Sequence, residues 1–369
     1  MLVTHLSLRD FRNYERADVE LGPGLNVVSG PNGAGKTNLL EALYFGLTAR
    51  SCRTSNEREL VRTGAGAARV AAEVRGDDGA HSLEVGFAPG EEKRVRVDGA
   101  PLDRAASAPP RPLACVFLPE RLELVKGAPT LRRGHLDQVV AAMWPARAET
   151  RSAYARALAQ RNALIGRVRA GRSRAGQLDA WDAELGRHGA ELISDRARAV
   201  ATIAPHFAER AGDLGLPDPV ELRYQPRSKA DDADGLRREL AERRDSDIER
   251  GFTTHGPHRD DLVLLHAGRP LRTLGSQGQQ RVGLLALLFA ERDVLAARKR
   301  PPLMLLDDVM SELDSTRRER LAELLRAGGQ SIVTTTDVEH VPGAADADDV
   351  VVTRVLDGTV SQGAAAVAA

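Results

Sequence analysis

The spacing of apolar residues changes twice along the chain, and its first part reads as short strands. Roughly the first 100 residues alternate apolar and polar positions in short runs, interrupted by the turn dipeptides Asp78-Gly79 and Asp98-Gly99. The predicted strands are Leu2 to Leu8, Arg16 to Leu21, Leu25 to Ser29, Arg69 to Val74, Leu83 to Phe87 and Arg94 to Val97. This pattern is typical of a mixed sheet with hairpins.

From about Glu120 the apolar spacing becomes helical. One predicted helix carries Tyr154, Leu158, Ile165 and Val168 on one face, and the next carries Leu178, Trp181, Leu185 and Leu192 on one face. The connection between them is rich in glycine and arginine, which predicts a turn. Heptad spacing stops after a few turns, so a long coiled coil is excluded.

Strand-like runs return in the last third of the chain. The predicted strands there are Leu262 to Leu265, Leu303 to Leu306, Ser331 to Thr335 and Val350 to Val355. A chain of 369 residues has room for about two domains. We therefore expect an α/β head of mixed sheet and flanking helices, made from residues 1–118 and 251–369 and interrupted by an all-helical lobe at 119–250.

A phosphate-binding loop follows the third predicted strand. The sequence GPNGAGKT fits the pattern G-x-x-x-x-G-K-[S/T] and leads into a helix that runs through Leu43. Its glycines allow backbone N–H groups to surround a phosphate, Lys36 would reach the β- and γ-phosphates, and Thr37 would bind Mg²⁺. The predicted nucleotide contacts are Gly30, Pro31, Asn32, Gly33, Ala34, Gly35, Lys36 and Thr37. The alternative, a glycine-rich turn with a chance lysine, explains the order of strand, loop and helix less well.

An apolar strand near the C-terminus ends in two carboxylates. In LMLLDDVMSELD, Asp307 is placed to hold the Mg²⁺ of a bound nucleotide, and Asp308 to orient or deprotonate the attacking water. Asp308 and Lys36 are thus the predicted catalytic residues. The alternative is that the aspartate pair only caps the next helix, which is a common use of aspartate after a strand.

A third element, SQGQQR, precedes the apolar run Val282 to Ala290. The phosphate loop, this segment and the acidic strand have the order and spacing of an ABC-type ATPase head. In such heads the signature segment of one subunit completes the nucleotide site of another. Ser276, Gly278 and Gln279 are therefore predicted to act across an ATP-dependent, head-to-tail homodimer.

Motifs along nearly the whole chain resemble those of the RecF family of bacterial recombination mediators, which is related to SMC and Rad50 heads. The matching segments are LSLRDFRNY, LNVVSGPNGAGKTNLLEALYFG, ARSCRT, VFLPERLELVKGAPTLRRGHLD, THGPHRDDL, GSQGQQR and LLDDVMSELD, in this order. They identify the chain as a member of this family of P-loop ATPases.

The resemblance implies both residue roles and partners. Arg12 and Asn13 would lie near the nucleotide, and residues 311–314 would link the two sites of a dimer. ATP and Mg²⁺ are the implied cofactors. The implied partners are DNA, a second copy, and the RecR and RecO proteins, and the implied role is loading of recombinase at gaps in recombinational repair and replication restart.

Two departures from the wider ABC pattern bear on hydrolysis. Asp308 stands where transporters and Rad50-like heads usually carry the longer glutamate, so we expect slow hydrolysis. The resemblance implies that this ATPase is stimulated by DNA and serves as a switch. The strand Ser331 to Thr335 ends in TTTD, where many ABC heads have a switch histidine. Thr335 or Thr336 is expected to contact the γ-phosphate instead.

Charge is balanced overall and concentrated locally. The chain has 52 basic and 52 acidic side chains, which argues against a uniformly basic DNA-binding surface. Seven arginines between residues 151 and 174, without an acidic residue among them, form a local basic segment: Arg151, Arg156, Arg161, Arg167, Arg169, Arg172 and Arg174. They either contact DNA phosphates or form a solvated helix face. Aromatic residues make up 4% of the chain, which favours backbone binding to a duplex or a single-strand/duplex junction over base stacking.

Several other classes of protein and site fit poorly. Two distant cysteines, Cys52 and Cys115, indicate neither a disulfide framework nor a zinc site. The histidines of THGPHRDD are expected in a structural turn rather than at a metal site. The run 282–290 is far shorter than the ~20 residues needed to cross a bilayer, so we expect a cytoplasmic protein without membrane contact. The alternative function, the cytosolic ATPase subunit of an ABC membrane transporter, shares the nucleotide motifs but not FRNY or GPHRDD.

Overall fold

Two compact units make up the chain in the structure, a computed structural model that describes residues 1–102, 113–217, 219–298, 301–311, 313–345 and 347–362. The first unit joins Met1–Arg121 to the described residues from Leu295 onward, and the second is Leu122–Val294. The predicted lobe ended at residue 250, whereas residues 251–294 belong to the second unit.

The N-terminal part of the first unit consists of strands around one helix. Its elements are β1 (Leu2–Phe11), β2 (Tyr14–Glu20), β3 (Leu25–Ser29), α1 (Lys36–Thr48), β4 (Ala68–Gly76), β5 (Gly79–Phe87), β6 (Arg94–Val97), β7 (Ala100–Pro101) and β8 (Ala114–Phe117).

The second unit is mainly helical. Its elements are α2 (Glu123–Lys126), α3 (Pro129–Met143), α4 (Ala148–Arg169), α5 (Leu178–Asp213), β9 (Val220–Gln225), α6 (Ala233–Glu242), α7 (Arg244–Arg250), β10 (Asp261–His266), β11 (Arg269–Pro270), α8 (Leu271–Leu274) and α9 (Gln277–Ala297), whose last residues enter the first unit.

The remaining elements complete the first unit. They are β12 (Leu303–Leu306), α10 (Ser315–Arg326), β13 (Ser331–Thr335), β14 (Val351–Leu356) and β15 (Thr359–Gln362). The strands β3, β6, β12 and β13 have the predicted bounds. The strands that were not predicted are β7, β8, β9, β11 and β15.

Two sheets form the first unit. One is antiparallel, with strand order β2-β1-β4-β5-β6-β7, and the other has the order β15-β14-β3-β13-β12-β8. In the second sheet β14, β3, β13, β12 and β8 run parallel, so their carboxyl ends meet at one edge. The phosphate loop after β3 and the carboxylates after β12 are therefore brought to the same edge.

Helix α1 packs between the two sheets. It contacts β4 and β5 on one side and β13 on the other, and the ring of Phe45 lies 5.9 Å from that of Phe11. Phe45 is fully buried, and burial of such a side chain stabilises the fold by about 1.5–3 kcal/mol. The apolar face of α1 thus fixes the direction in which the phosphate loop enters the helix.

The second unit is built on the α4–α5 helix pair. Tyr154, Leu185 and Leu192 are buried in one cluster, and Ile165 and Leu178 in another, which confirms the predicted apolar faces. The unit also contains the three-stranded sheet β11-β10-β9, so it is not all helical. Pairing of β10 with β9 holds residues 261–266 in this unit and explains the shifted boundary.

No described helix is both long enough and apolar enough to cross a membrane.

Candidate nucleotide site and its surroundings

The phosphate loop requires glycine at two positions, Gly30 and Gly35. Gly35, which precedes the first residue of α1, has a φ of 118°. A Cβ atom at Gly35 would lie 2.6 Å from Nδ2 of Asn13, and one at Gly30 would collide with the carbonyl oxygen of Val355. The loop is therefore packed tightly on its outer side.

Lys36 is buried inside this loop. Its Nζ donates hydrogen bonds to the carbonyl oxygens of Gly30 (2.7 Å) and Pro31 (3.0 Å). Burial lowers the pKa of its ammonium group, and the negative charges of Asp308 and Asp307 act in the opposite direction. The structure thus places the predicted lysine where a phosphate held by the loop would meet its charge.

The tip between β1 and β2 supports the loop from behind. Nδ2 of Asn13 donates to the carbonyl oxygen of Ala34 (3.0 Å), and the hydroxyl of Tyr14 donates to that of Gly35 (2.9 Å). Sequence reasoning placed Asn13 beside the nucleotide and missed Tyr14. Both residues satisfy loop carbonyl groups, and because the N–H of a trans peptide points opposite to its C=O, the N–H groups of Gly35 and Lys36 point away from these donors. Contact of Asn13 with nucleotide stays a prediction.

Arg12 lies beside α1 rather than on the phosphate loop. Its Nε and Nη2 bind the two carboxylate oxygens of Glu41, each at 2.9 Å. Glu41 is fully buried and also accepts hydrogen bonds from Ser51 (2.5 Å) and Arg53 (3.3 Å) of the ARSCRT segment. Burial acts to lower the pKa of Arg12, but Glu41 and Glu59 outweigh it and raise it. Its contact with nucleotide stays a prediction.

Thr37 and Asp307 meet at the shared edge of the sheet. The Thr37 hydroxyl lies 2.8 and 3.0 Å from the two carboxylate oxygens of Asp307, which also accepts from the Thr334 hydroxyl at 2.6 Å. Burial raises the pKa of the Asp307 carboxyl, although hydrogen bonds from Thr334 and Thr37 favour its charged form. A hydroxyl and a carboxylate are the oxygen ligands that suit Mg²⁺, which keeps water and phosphate oxygens as its other ligands.

Asp308 has an unusual backbone and an unsatisfied oxygen. Its φ is 46°, and its N–H donates to the Thr334 hydroxyl at 2.9 Å. Its Oδ1 is buried and has no hydrogen-bond partner among the described residues. A buried carboxylate oxygen without a partner is costly, so this atom is suited to accept a hydrogen bond from a bound water.

Thr334 is the β13 threonine that binds Asp307, whereas a γ-phosphate contact by Thr335 or Thr336 stays a prediction. The Thr335 hydroxyl donates to the carbonyl oxygen of Asp337 in its own turn, at 2.7 Å. Successive side chains along β13 point to opposite faces of the sheet, so Thr334 and Thr335 lie on different faces.

The helix cap after β12 is provided by a later residue. The Asp314 side chain accepts a hydrogen bond from the N–H of Arg317 (2.9 Å) at the start of α10. Asp307 and Asp308 are therefore not the cap of α10. Within the predicted linking loop, Ser311 donates to the carbonyl oxygen of Asp308 (3.0 Å), and Glu312 lies outside the described residues.

The signature segment begins α9 in the second unit. The Ser276 N–H donates to the side chain of Gln279 (2.9 Å), and the Gln279 N–H donates to the Ser276 hydroxyl (3.2 Å), which together form a capping box. Ser276 and Gly278 are exposed. The segment is thus an ordered, accessible helix start, the kind of end that attracts an anion.

Comparison with known proteins identifies the family. Residues 5–104 match the family described as AAA domain. The DNA replication and repair protein RecF of Streptomyces avermitilis is 40% identical over 362 residues, covering 93% of this chain and 95% of that protein. RecF of Frankia alni is 39% identical over 361 residues, with the same coverage. The chain belongs to the RecF family.

Solved structures agree with the RecF assignment. The recombination mediator protein RecF with ATP, of the RecFOR pathway, is 27% identical, with a TM-score of 0.86 over 98% of this chain and 97% of that chain. The Smc head domain of Pyrococcus furiosus, 19% identical with a TM-score of 0.60, shares the fold. These likenesses confirm the α/β, ABC-type ATPase head. The relatives are DNA replication and repair proteins, so the transporter alternative is not supported.

The arginine segment of this RecF family member is only partly available to DNA. Six of its arginines are exposed, namely Arg151, Arg156, Arg167, Arg169, Arg172 and Arg174. Arg161 is fully buried, with its guanidinium bound to Asp182 (2.6 Å) and Asp247 (2.7 Å). The prediction that Arg161 contacts DNA is therefore wrong. The signal was present in the sequence, since Arg161 is seven residues from Tyr154 and so on the same apolar helix face.

Both histidines of THGPHRDD are hydrogen-bonded inside the second unit. His255 contacts Glu239 at 2.5 Å. His258 lies between the Tyr154 hydroxyl (2.8 Å) and the carbonyl oxygen of Thr253 (3.0 Å). Only a donor at Nε2 satisfies that carbonyl, so Nδ1 of a neutral ring accepts from Tyr154. These contacts are those of a structural turn, and the described residues contain no cluster of three or more His, Cys, Asp or Glu arranged to hold a metal ion.

Proposed function

We propose that this RecF family protein is an ATP-dependent DNA clamp of recombinational repair and replication restart. ATP with Mg²⁺ binds at the phosphate loop and closes two copies on DNA, and slow hydrolysis releases them. The observation that carries the proposal is the cluster of Thr37, Asp307 and Asp308, with its unsatisfied Asp308 oxygen, beside the loop. The RecF relative solved with ATP supports the choice of nucleotide.

The residues divide the chemistry between them. The loop N–H groups and Lys36 hold the phosphates, and Thr37 and Asp307 would hold Mg²⁺, which would neutralise charge that develops on the phosphates. Oδ1 of Asp308 orients the attacking water and accepts its proton. Asp308 is one methylene shorter than glutamate and is fixed by its strained backbone, which supports slow hydrolysis used as a switch.

A second copy completes the site. Ser276, Gly278 and Gln279 lie at an exposed helix start, and between Leu262 and Ala290 the chain has no acidic residue. This segment therefore presents a helix start and positive charge to the nucleotide held by the other copy. Because the anionic nucleotide supplies the opposite charge, closure depends on ATP.

DNA is held by the exposed arginines of the α4–α5 pair, through phosphates of a duplex or a single-strand/duplex junction. A neutral chain binds weakly as a monomer, and pairing doubles the number of phosphates that the protein neutralises. By family membership we also propose cytoplasmic location, RecR and RecO as partners, and support of recombinase loading at gaps.

The decisive experiment measures dimerisation and duplex binding in the same samples with ATP, with ADP and without nucleotide. Wild type should dimerise and bind DNA only with ATP, and DNA should accelerate hydrolysis. Lys36→Ala should lose ATP binding and both responses. ATP-independent DNA binding, or a Lys36→Ala protein that still responds to ATP, would contradict the proposal.

A further inference from the structure

Carbonyl groups of the phosphate loop that point away from the phosphate need hydrogen-bond donors on the outer side of the loop. Asn13 and Tyr14 supply two of the donors to this outer side. A third donor comes from the opposite end of the chain. The backbone N–H of Gly358, in the turn between β14 and β15, donates to the carbonyl oxygen of Ala34 at 3.0 Å.

This turn also fixes Asn13. A Cβ atom at Gly358 would lie 2.5 Å from the main-chain oxygen of Asn13 and 3.4 Å from its Nδ2. The Asn13 amide is held on its other side by Asn38, whose Nδ2 donates to Oδ1 of Asn13 at 2.8 Å. Asn13 is therefore wedged between Gly35 of the loop and Gly358 of the turn, with no space for a methyl group at either glycine.

We propose that the β14–β15 turn is a positioning element of the nucleotide site, with Gly358 and Asn13 as its positioning residues. Together they direct the Ala34 carbonyl outward and so keep the neighbouring loop N–H groups turned toward the phosphates. Neither residue touches the nucleotide in this role. The inference rests on the proposed function only in assuming that ATP binds at the loop.

The chain contains a matched control for Gly358. Asp357-Gly358 and Asp98-Gly99 are both hairpin turns with left-handed backbones, with φ of 44° and 73° in the first and 51° and 79° in the second. Nothing lies within 4 Å of a Cβ atom at Gly99. Alanine therefore strains both turns alike, but only at Gly358 does its methyl group displace Asn13.

The test compares Gly358→Ala, Gly99→Ala and Asn13→Ala by equilibrium binding of a fluorescent ATP analogue and by thermal unfolding without nucleotide. Both glycine variants should unfold at reduced temperatures, Gly358→Ala at the lower one because its methyl group also displaces Asn13. Loss of one hydrogen bond to the loop should weaken nucleotide binding by about tenfold. Gly358→Ala and Asn13→Ala should therefore weaken binding by about tenfold, whereas Gly99→Ala should bind as wild type does. Gly358→Asn, which tolerates the backbone but keeps a Cβ atom, should bind as poorly as Gly358→Ala.

The outcomes separate the two proposals. If wild type does not bind ATP, or binds it equally well as Lys36→Ala, the proposed function fails. If binding depends on Lys36 but Gly358→Ala and Asn13→Ala bind as tightly as wild type, the positioning role alone is overturned. Should Gly358→Ala not fold, unchanged binding by Asn13→Ala, which removes a donor without crowding the turn, overturns the role by itself.

Discussion

The hydroxyl of Thr37 and the carboxylate of Asp307 are hydrogen-bonded at 2.8 and 3.0 Å although they lie 270 positions apart in the chain. The contact joins the start of α1 to the end of β12. It brings together the two side chains proposed as Mg²⁺ ligands, and an ion held there would neutralise the charge of the buried Asp307 carboxylate.

Removing the charge of Asp307 should weaken Mg²⁺ binding without destabilising the fold. Asp307→Asn keeps an oxygen for Thr37 and Thr334 but removes a carboxylate whose pKa is raised by burial. The folded protein should therefore be at least as stable as wild type near neutral pH. The Mg²⁺ concentration needed for tight ATP binding should rise about tenfold or more. A magnesium titration of ATP binding checks this, and an unchanged midpoint would rule Asp307 out as a ligand.

Mixing two inactive variants tests the head-to-tail dimer. Lys36→Ala removes phosphate binding, and Ser276→Arg places a bulky charge at the signature helix start. Each variant alone should be inactive, because every site of its dimer carries the defect. A mixed dimer has one intact site, so an equal mixture should recover roughly one quarter of the wild-type ATPase rate. A mixture as inactive as its components would contradict completion of the site by a second copy.

Arg161 should matter for stability rather than for DNA binding. Arg161→Ala leaves the buried carboxylates of Asp182 and Asp247 without this guanidinium. It should lower the free energy of unfolding by roughly 3–5 kcal/mol. Arg156→Ala, an exposed arginine of the same helix, should change it by less than about 0.5 kcal/mol. Denaturant unfolding of both variants measures the difference, and equal effects would disprove the burial argument.

The exposed arginines should set the salt dependence of DNA binding. Glutamine at Arg167, Arg169, Arg172 and Arg174 removes four charges from the end of α4 and the connection to α5. The slope of the logarithm of the binding constant against that of salt concentration should fall by about 0.9 for each phosphate that the protein no longer neutralises. Glutamine at the exposed Arg94 and Arg96 of the first unit serves as the control. A slope unchanged by the fourfold replacement would mean that DNA binds elsewhere on the protein.

His258 should make the second unit sensitive to acid. Burial lowers the pKa of its imidazole from 6.5 to about 4, with Arg259 and Arg133 acting in the same direction. The unfolded chain therefore takes up a proton between pH 6.5 and 4 that the folded chain excludes. The contribution of neutral His258 to the free energy of unfolding is fully present above pH 6.5. It is lost as the pH falls toward 4, by up to about 3 kcal/mol. Unfolding measured across this range should show the loss in wild type, and His258→Gln should lack that part of it.

The local spacing of apolar residues and turn dipeptides predicted several strands of the fold correctly. The strands β3, β6, β12 and β13 have the bounds predicted from apolar runs and turn dipeptides. Strand β9 was missed because it lies within a region of otherwise helical spacing. Its pairing with β10 moved residues 251–294 into the second unit, and such pairing depends on contacts that no local window contains.

The sequence by itself determined the phosphate loop, the acidic strand, the signature segment and the RecF family, because these depend on residue type, spacing and order. Only the tertiary structure showed that Thr334 rather than Thr335 binds Asp307, that Asp182 and Asp247 pair with Arg161, and that Gly358 donates to the phosphate loop. Each of these depends on which strands are neighbours and which helix face is covered. Sheet order places β14 and β13 on either side of β3, so residues more than 300 positions apart share the phosphate loop.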